Sequence, residues 1–87
     1  MTQEVFEGSE RLNITATSTA LKAGTLLGVF VASASGTPTL KFADGDGTIV
    51  NTMTPAAATF YRIPCRFKGG LTVTVGGTVD ATIFYKL

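Results

Sequence analysis

Along most of this 87-residue chain apolar and polar residues alternate with a period of two, the repeat of a strand whose side chains point in turn to opposite faces. The pattern is cleanest near the C-terminus. Leu71, Val73 and Val75 share one face and Thr72 and Thr74 the other, and beyond Gly76-Gly77 the series resumes at Val79, Ala81, Ile83 and Tyr85. With glycine taken as a turn residue, this predicts a hairpin with one face in a core. Bounded in the same way, strands are expected at 11–17, 26–33, 39–43, 48–53, 60–67, 71–75 and 79–85. SASGTP, TPAAA, KGG and VGGT between them have turn or loop compositions. Seven short strands at near-regular spacing predict an all-β fold, a single small antiparallel β-sandwich or jelly-roll-like barrel of about seven to eight strands over residues 10–87. Residues 1–9 form a polar N-terminal arm. Two readings of it stay open: a disordered terminus, or a segment that Val5 and Phe6 anchor on a neighbouring subunit.

Composition sharpens the picture. Fifteen threonines and ten glycines suit strands and turns rather than helices. Charged residues make up 15% of the chain and apolar ones 45%, against about 25% charged in an ordinary soluble domain, so part of the surface is expected to meet other protein. A chain of this length buries only about 60–65% of its unfolded surface, and association between copies would add to a modest core. The expected state is a homo-oligomer, a trimer. The formal net charge of +1 supplies no general attraction to nucleic acid, and no nucleic-acid partner is expected. The most apolar run, residues 26–34, is far shorter than the roughly 20 residues of a spanning helix and reads as a buried strand, so no membrane partner is expected. MTQEVFEGSE is acidic where a secretory signal is basic and then apolar, and Cys65 stands alone, with no disulfide partner and no zinc-ligand spacing. Both features fit synthesis in a reducing cytoplasm.

Candidate chemistry is sparse. In FADGDGTIV the aspartates Asp44 and Asp46 have the i, i+2 spacing of a calcium loop, but counting from Asp44 the fifth, sixth and twelfth positions are Thr48, Ile49 and Pro55 instead of ligand, glycine and glutamate. A hairpin turn between strands 39–43 and 48–53 accounts for the residues better. The chain has no histidine, which removes Ser/His/Asp and Cys/His nucleophiles. By parity Cys65 lies with Tyr61, Ile63 and Phe67 as a small core residue, not an activated thiol. The glycine-rich stretches lack phosphate-loop spacing, and of the six carboxylates Asp44 and Asp46 lie in a turn, three glutamates near the N-terminus and Asp80 in a strand, which is no paired-carboxylate arrangement. No catalytic residue, cofactor or metal is expected, and the chain reads as a non-enzyme.

One strip stands out. In FYRIPCRFK, Phe60, Arg62, Pro64, Arg66 and Lys68 occupy the parity opposite to the core face. Pro64 lacks an N–H, which suits an edge strand. Proline and cations on an edge can serve only to prevent strand-to-strand aggregation. The other reading is a docking strip for an acidic or phosphate-bearing partner.

The segments LKAGTLLGVFVASASGTPTLKFADG, TIVNTMTPAAATFYRIPCRF and GGLTVTVGGTVDATIFYK together resemble small virion structural proteins of tailed bacteriophages. The resemblance covers about residues 12–86, with Gly28 to Val31, Asn51 to Pro55 and Gly70 to Tyr85 carrying most of it. It implies a virion protein made in the host cytoplasm, of the kind that decorates or cements a capsid, with the major capsid protein or another virion protein as partner. It supplies no catalytic residues. A receptor- or carbohydrate-binding module of a fibre or tail tip is the alternative, although that role favours exposed Trp or Tyr and the chain has only Tyr61 and Tyr85, both expected on core faces.

Overall fold

The structure, a computed structural model, describes residues 10–20 and 23–86. The arm of residues 1–9, with Val5 and Phe6, lies outside the described residues. Six strands follow in order: β1 (Glu10–Ile14), β2 (Ser18–Ala20), β3 (Ala23–Asp44), β4 (Gly47–Met53), β5 (Thr59–Lys68) and β6 (Leu71–Lys86). They form one six-stranded antiparallel sheet in the order β1-β6-β3-β4, with β2 added to β6 and β5 to β3. The all-β expectation holds at this level, as a small domain built on a single sheet that does not close.

Two expected turns are not turns. Residues 71–75 and 79–85 do not form a hairpin; they are the two halves of β6, and both pair with β3, Val75 opposite Leu40 and Val79 opposite Ala34. Residues 26–33 and 39–43 are likewise two parts of β3, joined through SASGTP by a register shift between Ser35 and Thr39. The glycines serve a bend rather than a reversal. Gly36, Thr37 and Gly77 all have positive φ, at 65°, 53° and 68°. A Cβ on Gly77 would lie 2.6 Å from the carbonyl oxygen of Gly36 and 2.8 Å from that of Thr37, so the two strands cross the bend in backbone contact that only glycine permits. The expected strand 11–17 ends at Ile14, as β1, and the short β2 at Ser18–Ala20, not among the expected strands, adds separately to β6.

The bend doubles the sheet over. Twenty-two residues of straight strand would reach about 70 Å, whereas the longest dimension of the molecule is 36 Å. Ala23 at the start of β3 pairs with Lys68, and the N–H of Gly45, just past its end, donates to the carbonyl of the same Lys68 at 2.7 Å. The first half of β3 carries β5 on one side and the second half of β6, then β1, on the other. Its second half carries β4 on one side and the first half of β6, then β2, on the other. The core lies between the halves: Leu26, Val29, Val31, Val79, Ala81 and Ile83 from the first meet Leu40, Phe42, Leu71 and Val73 from the second, together with Ile14 and Phe67. Alternation along each strand therefore sends every second side chain into the core and leaves two outer faces.

Candidate docking face

The Asp44 turn and the face of the first half are the places where chemistry-bearing side chains gather. The turn is the hairpin expected between β3 and β4, with Asp44 opposite Gly47. Its carboxylate is occupied by the fold: Oδ1 accepts the N–H of Asp46 at 2.9 Å and Oδ2 accepts the N–H of Lys68, also at 2.9 Å. The Lys68 N–H, assisted by the Asp46 and Gly47 N–H groups and the Lys68 charge, holds the Asp44 carboxyl below its ordinary 3.8, against a smaller opposing effect of burial. Asp46 reaches the Lys68 ammonium at 3.3 Å in an exposed pair. The two aspartates thus clasp the end of β5 to the far end of β3. Among the described residues no group of three or more His, Cys, Asp or Glu is placed to hold a metal ion.

Cys65 is free and half-buried, on the inward side with Tyr61, Ile63 and the fully buried Phe67, and Tyr61 and Ile63 pack against the core. Tyr85 packs there too, and the Tyr61 hydroxyl accepts the N–H of Ala56 at 2.8 Å. Pro64 sits on an edge, since among the described residues β5 pairs with β3 alone.

The opposite parity of β5 forms the outer face of the first half, and strand pairing sets other residues beside it. Arg11, Phe84, Gly28 and Arg62 stand in one row across β1, β6, β3 and β5. Asn13, Thr82, Phe30 and Phe60 form the next, and Lys86, Thr25 and Arg66 flank the first row on its other side. Gly28 makes room at the centre. A Cβ there would lie 2.5 Å from the Phe60 ring and 2.6 Å from the Tyr61 carbonyl oxygen, so the ring lies across the glycine toward Phe84, with centroids 6.2 Å apart and planes tilted by 56°. Phe30 is 39% exposed and Phe60 42%. If a phenylalanine side chain presents roughly 200 Å², each leaves roughly 80 Å² in water, and covering both would contribute roughly 4 kcal/mol at about 25 cal/mol per Å².

Guanidiniums bracket this aromatic floor. With strands about 4.8 Å apart, Arg11 and Arg62 stand about 14 Å from each other across it. Among the described residues the acid of this face is Asp80, at its margin opposite Ser33. Parity along one strand finds Phe60, Arg62 and Arg66. It does not find Phe30, Phe84, Arg11 or Gly28, because their addition depends on pairings such as Arg11 with Phe84 that join distant parts of the chain. Lys68 shares the parity of the strip, but its ammonium is turned to Asp46 at the end of the sheet.

Comparison of the chain with family models, curated proteins and solved structures found no match.

Proposed function

We propose that this chain is a non-enzymatic virion structural protein of a tailed bacteriophage, a capsid decoration or cement protein that binds the head surface through the Phe30, Phe60, Phe84, Arg11, Arg62 and Arg66 face. The observation that carries the docking role is the pairing of exposed rings with bracketing cations on one face. Isolated apolar residues on a surface are ordinary, but a contiguous aromatic patch rimmed by one sign of charge is typical of an interaction site. The sign and planarity of the guanidiniums fit carboxylate-bearing protein. The virion setting rests on the sequence resemblance alone. In this reading the doubled sheet serves as the small β-sandwich, or jelly-roll-like, unit of a homotrimer, and the partner is the major capsid protein.

The decisive experiment is decoration of bare heads. Wild-type protein is expected to bind, and added salt to weaken the binding because exposed charge pairs are screened over about 8–10 Å at physiological ionic strength. The double variant Arg62→Glu/Arg66→Glu is expected to remain folded and fail to bind. Binding unaffected by both the reversal and the salt would refute the docking role. Light scattering at micromolar concentration tests the trimer separately.

The exposed rings of Phe30 and Phe60 favour a second reading, in which the face stacks on sugar and the chain belongs to a fibre or tail tip. Copy number in purified virions separates the two: hundreds of copies place the protein on the head, and a few place it on the tail.

A further inference from the structure

We propose that the outer face of the first half binds single-stranded nucleic acid, with bases stacked over Phe30 and Phe84 and phosphates held by Arg62, Arg66 and their neighbouring cations. The inference goes beyond the capsid reading and does not rest on it. The net charge of +1 that argued against such a partner averages over two unlike faces.

Charge supplies the first reason. Arg11, Arg62 and Arg66 are exposed and Lys86 is half-buried, all at outward parity on this face. Among the described residues the outer face of the second half has Lys41 as its cation. The ion pair among the described residues joins Lys68 to Asp46 at the end of the sheet, so no described carboxylate neutralises the four cations of the face. A chain of repeating negative charge matches such a cluster and brings no charge of the other sign.

Layout supplies the second. Arg62 and Arg66 follow one another along β5, within about 13 Å, and Lys86 stands about 10 Å from Arg66 across Thr25. A nucleic-acid backbone laid along β5 meets the two arginines in succession. Its bases then lie inward over β3 and β6, where Phe30 and Phe84 occupy adjacent strands in successive rows, with Phe30 39% exposed. Every base has a π-face, so stacking on a ring or on a guanidinium plane is sequence-tolerant. Asn13, in the row of Phe30, accepts the Thr82 hydroxyl at Oδ1, 3.1 Å away, which leaves its amide N–H groups to donate to a base carbonyl. A duplex suits the face less well: its bases are already stacked on one another, and the sheet surface has no projecting helix or ribbon to enter a groove. Nucleic acid and a capsid partner would both occupy Arg62 and Arg66 and would compete.

The test titrates the full-length chain into a fluorescent oligothymidylate of about twelve nucleotides, read by anisotropy. Binding is expected in about 50 mM salt, with log K falling against log salt at a slope of about −2 to −3, the counterions released by three or four phosphate contacts at about 0.7 each. Arg62→Gln/Arg66→Gln should reduce that slope by about 1.4. Phe30→Leu keeps apolar bulk and removes the π-face; it should weaken binding about tenfold at an unchanged slope, and Phe30→Tyr should restore it. A duplex of the same length and polyglutamate of matching charge should each bind at least about tenfold more weakly. Absence of binding in low salt overturns the proposal, as does duplex binding equal to that of the single strand or indifference to Phe30→Leu. Polyglutamate binding as tight as the oligonucleotide also overturns it and returns the face to acidic protein. Should the variants misfold, amide shifts of the unsubstituted protein decide the question. Shifts on adding the oligonucleotide that centre on Arg11, Phe30, Arg62, Thr82 and Phe84 support the site, and shifts centred on Thr39, Lys41, Thr72 and Thr74, or none, overturn it. No capsid enters these measurements, so their failure leaves the decoration experiment standing, and failure of decoration leaves them standing.

Discussion

The two outer faces of the doubled sheet are made by the same two long strands and differ in almost every residue. Where the second half of β3 and the first half of β6 face outward, the residues are Thr39, Lys41, Ala43, Thr72 and Thr74, with Thr19 of β2 beside Thr72, their hydroxyls 3.3 Å apart. At the equivalent parity on the other face stand Gly28, Phe30, Thr82 and Phe84, joined by Phe60, Arg11, Arg62 and Arg66. Threonine is a sufficient outer residue for these strands: it suits the pleat and leaves little apolar surface in water. The threonine face is therefore an internal control, showing that the fold does not require the rings and guanidiniums of the other.

Breaking the core beneath both faces should have the largest effect. Phe42→Ala removes a fully buried ring from between the two halves, with an expected loss of about 3–5 kcal/mol in urea denaturation, most of the stability of a domain this small. A loss below about 1 kcal/mol would mean that the halves do not share one core. Gly28→Ala comes next and sharpens the contrast, because the added methyl meets the Phe60 ring and the Tyr61 carbonyl. It should cost about 1–3 kcal/mol and shift the ring signals of Phe60 and Phe84 in the NMR spectrum.

Phe30→Thr/Phe60→Thr converts one outer face toward the other. Its expected stability change is within about 1 kcal/mol, with loss of head binding if the proposed docking role holds; a large destabilisation would show that the rings hold the fold. Smaller still is the contribution of Asp44. Its carboxyl is held below 3.8, so the stability that it contributes is fully present above that value and lost as pH falls through its lower folded pKa. The melting-temperature gap between wild type and Asp44→Asn should therefore be constant near neutrality and shrink in acid. Calcium should have the least effect. With both Asp44 oxygens engaged by backbone N–H groups, millimolar calcium or a chelator should leave the melting temperature unchanged, and a reproducible calcium-dependent rise would contradict the clasp.

How much of this was legible in the sequence varies with the range of the interaction. Local signals sufficed for the Asp44 turn, the loop before Thr59, the KGG turn at Gly69 and Gly70, the edge position of Pro64 and the inward or outward sense of each side chain on β5. Gly76-Gly77 was misleading for a physical reason. A positive φ serves a reversing hairpin and a bend between crossing strands equally well, and only Gly77's approach to Gly36 and Thr37, some forty residues away, tells the two apart. The candidate face was legible by one quarter of its width, the strand β5, because joining Arg11, Phe84, Gly28 and Arg62 into a row requires three registers that period-two counting does not contain.

The order in which the long strands are synthesised carries a consequence for folding. β3 is the shared partner of β4, β5 and β6, and β6 follows all of them in the chain. A nascent chain can add β4 to β3 as a local hairpin, then β5, but the other edge of β3 stays unpaired along both halves until residues 71–86 arrive. Thr25 must find Lys86 and Ala43 must find Thr72, closures of sixty-one and twenty-nine residues that cost chain entropy before the core rewards them. During that interval the apolar residues 26–31 and an open strand edge are exposed together, the combination most prone to intermolecular pairing. Slow, concentration-sensitive refolding, with the β3–β6 ladder the last to gain amide protection, is what this topology imposes on the chain.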